Sequence, residues 1–246
     1  MPNRNNQETS RRAALRAQQA SERSRRRTQL IVSIAIGVAL LSVISFGILQ
    51  AVTRPSQTAS TSAPVTGAQA DLLVRDNSLR LNDIKNPKAT FVEFLDFECE
   101  ACGAAFPSLE ELRQTYGDRV SFVIRYFPLQ NHFNSMRSAR AVEAAAQQGQ
   151  LVAMYTKVFQ NQKEWAEQQV PKDDVFRRYA QELNLDMARW EAAYNAPETE
   201  ARIQSDVNHG LALGVDSTPT FYFNGKLIEP KSFSDLTKAF DQALAE

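Results

Sequence analysis

Eight consecutive residues, Thr90 to Phe97 (TFVEFLDF), are apolar on both faces of an extended chain except at Glu93 and Asp96. A strand that is apolar on both faces must be covered on both, as a central strand of a layered α/β sheet is. The next residues fit that arrangement. Cys102, Ala105, Phe106, Leu109, Leu112 and Tyr116 recur at helical spacing up to Gly117, and Val120 to Tyr126 (VSFVIRY) forms a further strand. Residues 90–126 therefore predict a β-α-β unit with parallel strands. The folded part is expected to begin near Asp71, with a short strand or hairpin over Leu72 to Leu81.

Residues 135–213 carry a helical pattern throughout: an alanine-rich segment to Gln148, a second from Leu151 to Gln160, and further ones after Pro171, Asp186 and Pro197. Pro171 and Pro197 stand where helix starts tolerate proline, and Gly214 where helix ends favour glycine. From Pro219 to Ile228, Asn224-Gly225 separates two apolar runs, which is a hairpin signal. Phe233, Leu236, Phe240 and Leu244 place one apolar stripe on a terminal helix. The predicted order is β-α-β, a long helical insertion, then β-β-α, without internal repeat.

The formal net charge of zero conceals an asymmetry. Residues 1–29 hold eight arginines against Glu8 and Glu22, leaving +6 in front and −6 behind. Leu30 to Leu49 is then free of charge for twenty residues, enough for a helix of roughly 30 Å, the thickness of a bilayer's hydrocarbon core. Residues 30–52 are read as a single transmembrane signal-anchor helix. A cleaved signal peptide is the alternative, with Ser45-Phe46-Gly47 as a weak cleavage site. The arginines before the span, against Arg54 alone in the twenty residues after it, place the N-terminus inside and the remainder outside. Nucleic-acid binding, the other use of an arginine-rich arm, is set aside because topology accounts for the charge. Residues 53–70, rich in Ser, Thr, Ala and Pro, read as a flexible tether reaching roughly 20–25 Å. Residues 71–246 form the remaining domain.

The chain has two cysteines, Cys99 and Cys102, and they open the helix that follows the buried strand. Unpaired N–H groups and the macrodipole at a helix N-terminus favour a thiolate, the reactive form in disulfide exchange. The i, i+3 spacing brings both sulfurs to one face. A merely structural disulfide closing so short a loop would constrain the unfolded chain by only about 2 kcal/mol. A zinc site needs about four ligands, and His132 and His209 are distant in sequence. A redox pair is the reading taken, with no bound cofactor and no metal.

Phe94 to Pro107 (FLDFECEACGAAFP), with Thr218-Pro219 before the late hairpin and a helical insertion after the β-α-β unit, resembles the DsbA-like branch of the thioredoxin superfamily. The resemblance covers residues 71–246 and implies a thioredoxin-like fold and an extracytoplasmic thiol-disulfide oxidoreductase. It further implies that Cys99 is the exposed nucleophile and Cys102 the buried resolving thiol. Thr218 would precede a cis proline, Pro219, whose loop faces the cysteines and binds substrate backbone. Glu93 would be a buried carboxyl moving protons to and from Cys102, its pKa raised by desolvation; an edge-strand glutamate reaching solvent is the alternative. Strong oxidants of the family carry Pro-His between the cysteines, where this chain has Glu100-Ala101. A carboxylate there disfavours the Cys99 thiolate, which opposes strong oxidising power.

The expected role is disulfide formation in exported proteins at the outer face of the cytoplasmic membrane. Exported protein thiols would be the substrates and a membrane quinone-linked thiol reoxidase the family-implied partner. A reductase or isomerase of the same fold, a redox-inert binding or chaperone module, and a copper metallochaperone using two thiolates are the other readings. His132 and His209 are read as surface or cap residues, and Trp165 and Trp190 as packing anchors. Phe97, Phe106 and Phe133 could meet an unfolded substrate but are assigned to core packing.

Overall fold

A computed structural model describes residues 64–245. The arginine-rich arm, the span read at 30–52 and the first part of the tether lie outside the described residues. Among those described, no helix is long and apolar enough to cross a membrane.

Order begins earlier than Asp71. The Val65 N–H donates to the Gly225 carbonyl at 2.8 Å, and a 3-10 turn over Gly67–Gln69 leads into α1 (Ala70–Leu73). The strand or hairpin expected over Leu72 to Leu81 is thus replaced by this helical turn and a two-residue strand, β1 (Leu79–Arg80). The reason is tertiary: Leu73 is buried in the core, and Arg125 donates to the carbonyls of Leu72 and Leu73, both at 2.6 Å. Those are terminal helix carbonyls that need an outside donor.

The β-α-β unit consists of β2 (Ala89–Leu95), α2 (Glu100–Tyr116) and β3 (Val120–Tyr126). The two strands run parallel with Phe91 opposite Phe122 and Leu95 opposite Tyr126. Five helices and one short helical turn follow in chain order: α3 (Ser135–Ala146), α4 (Leu151–Gln160), the turn α5 (Gln162–Trp165), α6 (Asp173–Glu182), α7 (Met187–Asn195) and α8 (Pro197–Ala212). The sequence pattern lacks α5, whose four residues are too few for a period. The hairpin is β4 (Thr220–Phe223) and β5 (Lys226–Ile228), and α9 (Phe233–Ala245) closes the domain. Its turn residues Asn224 and Gly225 have φ of 47° and 76°, the doubly positive pattern of a tight hairpin turn.

The sheet order is β1-β3-β2-β4-β5, so β2 is central, with β3 parallel on one side and β4 antiparallel on the other. Its alternate residues serve two cores. Phe91, Leu95 and, beyond the strand, Phe97 join the larger one with α2, α9 and the insertion. Val92 and Phe94 join the smaller one with Leu73, Phe127 and Val215. On the larger side Phe240 of α9 packs on Phe91, Phe122 and Phe223. Trp165 and Trp190 are buried anchors, and their indoles donate to the carbonyls of Val158 and Ala141, as buried indoles require.

Candidate functional site

The central strand ends at Leu95, and Asp96 to Glu98 carry the chain to Cys99, the N-cap of α2. Asp96 organises this connection. Its Oδ1 accepts from the Glu98 N–H at 2.8 Å, and its backbone carbonyl accepts from the Cys99 N–H at 3.2 Å. Its Oδ2 accepts from the Leu129 N–H at 2.9 Å and bonds His132 Nδ1 at 2.6 Å.

Cys99 and Cys102 are free thiols here. Cys99 is less open than a nucleophile was expected to be, at 8% exposure against 0% for Cys102. The loop preceding the hairpin lies against it: the Cys99 thiol approaches the Thr218 carbonyl at 3.4 Å, and the Thr218-Pro219 bond is cis. Gln162 of α5 covers the other side, donating to the carbonyls of Phe97 and Cys99 at 2.8 Å each. Gly103 permits this approach, because a Cβ there would lie 2.0 Å from Gln162 Oε1.

The two thiols are driven apart electrostatically. Cys99 is pulled down to about 5, first by the hydrogen bond from the Cys102 thiol, and then by the Thr218 side-chain hydroxyl and the N–H groups of Cys102 and Ala101, against desolvation. Cys102 is pushed well above the usual thiol value, first by burial, then by its bond to Cys99 and by the charges of Glu93 and Cys99. The expected damping of the Cys99 thiolate by Glu100 is therefore outweighed. Glu100 and Ala101 are exposed, and their position leaves the thiolate facing helix N–H groups.

Glu93 lies on the central strand and is 3% exposed. Strand alternation puts it on the face of Phe91 and Leu95, toward α2. Burial raises its pKa to about 8, with the charges of Cys99 and Glu110 adding to the shift. Its Oε1 has no protein partner.

Several contributors have no role in the sequence reading. Glu98 is buried, and its carboxylate accepts from the Asn134 N–H at 2.6 Å and the Glu167 N–H at 2.9 Å. Asn134 in turn bonds Gln168, Val170 and Lys172. An acid in the apolar run before Cys99 was the available signal; its partners, on distant loops, were not. His132 and His209 are also not simple surface residues. His132 belongs to the Asp96 network, and His209 lies between Arg75 and Arg125 at 2.8 Å from each. Phe97 and Phe106 are core residues, whereas Phe133 is 38% exposed. A groove of about 670 Å³, lined by Glu100, Gly103, Gln162 and Lys163 among others, lies between the first turn of α2 and α5, and neither cysteine lines it. Among the described residues no cluster of His, Cys, Asp or Glu is placed to hold a metal ion.

A family model described as Thioredoxin matches residues 85–242, more than half of the chain. The chain belongs to the thioredoxin family. Within that family its fold is DsbA-like. A thioredoxin-like oxidoreductase from Silicibacter pomeroyi DSS-3 is 26% identical, with TM-score 0.58 over 72% of this chain and 98% of that one. Alpha-DsbA1 of Wolbachia pipientis is 20% identical, with TM-score 0.62 over 73% of this chain and 96% of its own. Among curated proteins, the Na(+)/H(+) antiporter NhaA 1 of Mycobacterium sp. (strain KMS) is 33% identical over 199 residues, which are 78% of this chain and 30% of that protein. This thioredoxin-family chain thus spans under a third of the length of the curated relatives it matches.

Proposed function

We propose that this domain is a thiol-disulfide oxidoreductase that forms disulfides in exported proteins through Cys99 and Cys102. The observation that carries the proposal is the placement of the pair: Cys99 caps α2 against the cis Thr218-Pro219 loop with Cys102 wholly buried behind it, and the acidities of the two thiols are shifted in opposite directions. In the oxidised form a substrate thiolate attacks Cys99 Sγ. The Cys99–Cys102 bond breaks, and its electron pair leaves on the Cys102 sulfur, which takes up a proton. A second substrate thiolate then attacks the substrate sulfur of the mixed disulfide and releases Cys99 as a thiolate. Two electrons have passed from the substrate to the pair.

Each group suits its step. Cys102 is a poor leaving group unless protonated, and Glu93, holding its proton up to about pH 8, is the donor on that side of the sheet. Cys99 is a good leaving group because its thiolate is stabilised, and a stabilised reduced form makes a pair oxidising. The Thr218 carbonyl beside Cys99 is positioned to accept from a substrate N–H.

The arginine-rich arm and apolar run support a location at the outer face of the cytoplasmic membrane, held by residues 30–52, where exported thiols are available. Regeneration then falls to a membrane quinone-linked thiol reoxidase. The ion transport in the names of the curated relatives is not carried over, since this chain covers under a third of them.

The test is the equilibrium of the pair with glutathione in the full chain. A potential of roughly −120 to −180 mV is expected, and one near about −270 mV would sink the donor reading. Cys102→Ser is expected to accumulate mixed disulfides with thiol substrates, and Cys99→Ser to lose exchange.

A further inference from the structure

We infer that His132, held by Asp96, is the tuning cation of the redox centre and that its protonation is coupled to the Cys99 thiolate. The inference rests on Cys99 being the redox nucleophile. The dipeptide between the cysteines supplies no cation, being Glu100-Ala101, and the structure brings one from outside the motif.

The geometry lies in a single carboxylate. Asp96 Oδ1 and the Asp96 carbonyl hold the Glu98 and Cys99 N–H groups, while Asp96 Oδ2 holds His132 Nδ1 at 2.6 Å and the Leu129 N–H at 2.9 Å. The loop bearing the imidazole and the loop bearing the thiol are thus fixed to one side chain. The loop carrying His132 is held a second time where the Asn134 N–H donates to Glu98, the neighbour of Cys99. The His132 side chain keeps 22% exposure while that of Asp96 has none, so the ring exchanges protons with solvent over a buried counter-charge.

The charges acting on His132 are those of Asp96, which it touches, and then of Glu98 and Cys99, and each favours the imidazolium. Its pKa is raised, first by the Asp96 hydrogen bond, against desolvation. Coupling is reciprocal: whatever the thiolate does for the imidazolium, the imidazolium does for the thiolate. The effect is smaller than that of the Cys102 thiol, which leads the causes acting on Cys99. His132 hydrogen-bonds to Asp96 and to neither sulfur, so it is a positioning and tuning residue rather than a catalytic one.

The experiment is an NMR titration of the 13C-histidine-labelled full chain, first reduced, then with the Cys99–Cys102 disulfide formed. The chain has two histidines, and His209, between Arg75 and Arg125, is the internal control. The expected result is that the His132 protonation constant falls by about three- to tenfold on oxidation, half to one pKa unit, while His209 is unmoved. In His132→Asn, which retains an N–H donor for Asp96, the Cys99 acidity followed by thiolate absorbance is expected to fall by the same factor. Identical titration of His132 in both redox forms would overturn the inference, and needs no variant to fold. Loss of thiol oxidation with the coupling intact would instead count against the proposed function alone.

Discussion

Glu93 shows how a single residue is committed by its surroundings. It occupies the middle of a strand flanked by β3 and β4, one carboxylate oxygen has no protein partner, and burial lifts its pKa from 4.5 to about 8. A carboxyl that holds its proton more tightly folded than unfolded makes folding favourable at low pH. That contribution is lost as pH rises from 4.5 through 8, on the order of 1.4 kcal/mol per pH unit at most. Glu93→Gln, which stays neutral, is expected to abolish that decline in the oxidised chain, where Cys99 does not titrate. Urea unfolding at pH 5, 6.5 and 8 reads it; an unchanged slope would mean that Glu93 ionises as readily folded as unfolded. The burial was legible, since the neighbours Val92 and Phe94 are apolar, but the missing partner was not.

At the scale of elements, legibility followed locality. The hairpin and the β-α-β unit were readable because Asn224-Gly225 and the apolar runs encode turn and period within a few residues. The helical turn α1 was misread as strand because Leu72, Val74, Leu79 and Leu81 alternate loosely, while what holds α1, Arg125 on β3, lies more than fifty residues away. The site divided along the same line. Cys99, Cys102 and Glu93 share one strand and one helix end, whereas Gln162, Asn134 and His132 arrive from the insertion and the loop before it. One helical contact is sharp enough to predict. Gly210 lets α8 approach the sheet, and a Cβ there would lie 2.8 Å from Phe127 and 3.1 Å from Phe94. Both rings sit in the smaller core, so neither is free to move aside. Gly210→Ala is therefore expected to cost about 1–3 kcal/mol despite alanine's better helix propensity. Denaturant unfolding checks it, and a stabilised variant would show that α8 can back away from the sheet.

For the molecule as a whole, redox state and stability are one equilibrium seen from two sides. The reduced chain carries Cys99, whose pKa is near 5 folded against 9 for an unperturbed thiol; the oxidised chain does not. A depressed folded pKa gives stability that is fully present above the unfolded value and is lost as pH falls through the folded one. Between about pH 5 and 9 this favours the folded reduced form increasingly. Glu93 pulls the opposite way, but its largest cause, burial, is common to both forms and cancels from their difference, leaving only the smaller part due to the Cys99 charge in the reduced chain. The gap in unfolding free energy, reduced minus oxidised, is thus expected to widen in favour of the reduced chain as pH rises from 5 to 8. Parallel denaturant titrations of the two forms measure it. Closing the thermodynamic cycle, a folded state that prefers its dithiol gives its disulfide away, which is the property a disulfide donor needs. A gap independent of pH over that window would mean that Cys99 is not the low-pKa thiol, and the drive to donate would then have to come from contacts to the cysteine pair that do not titrate.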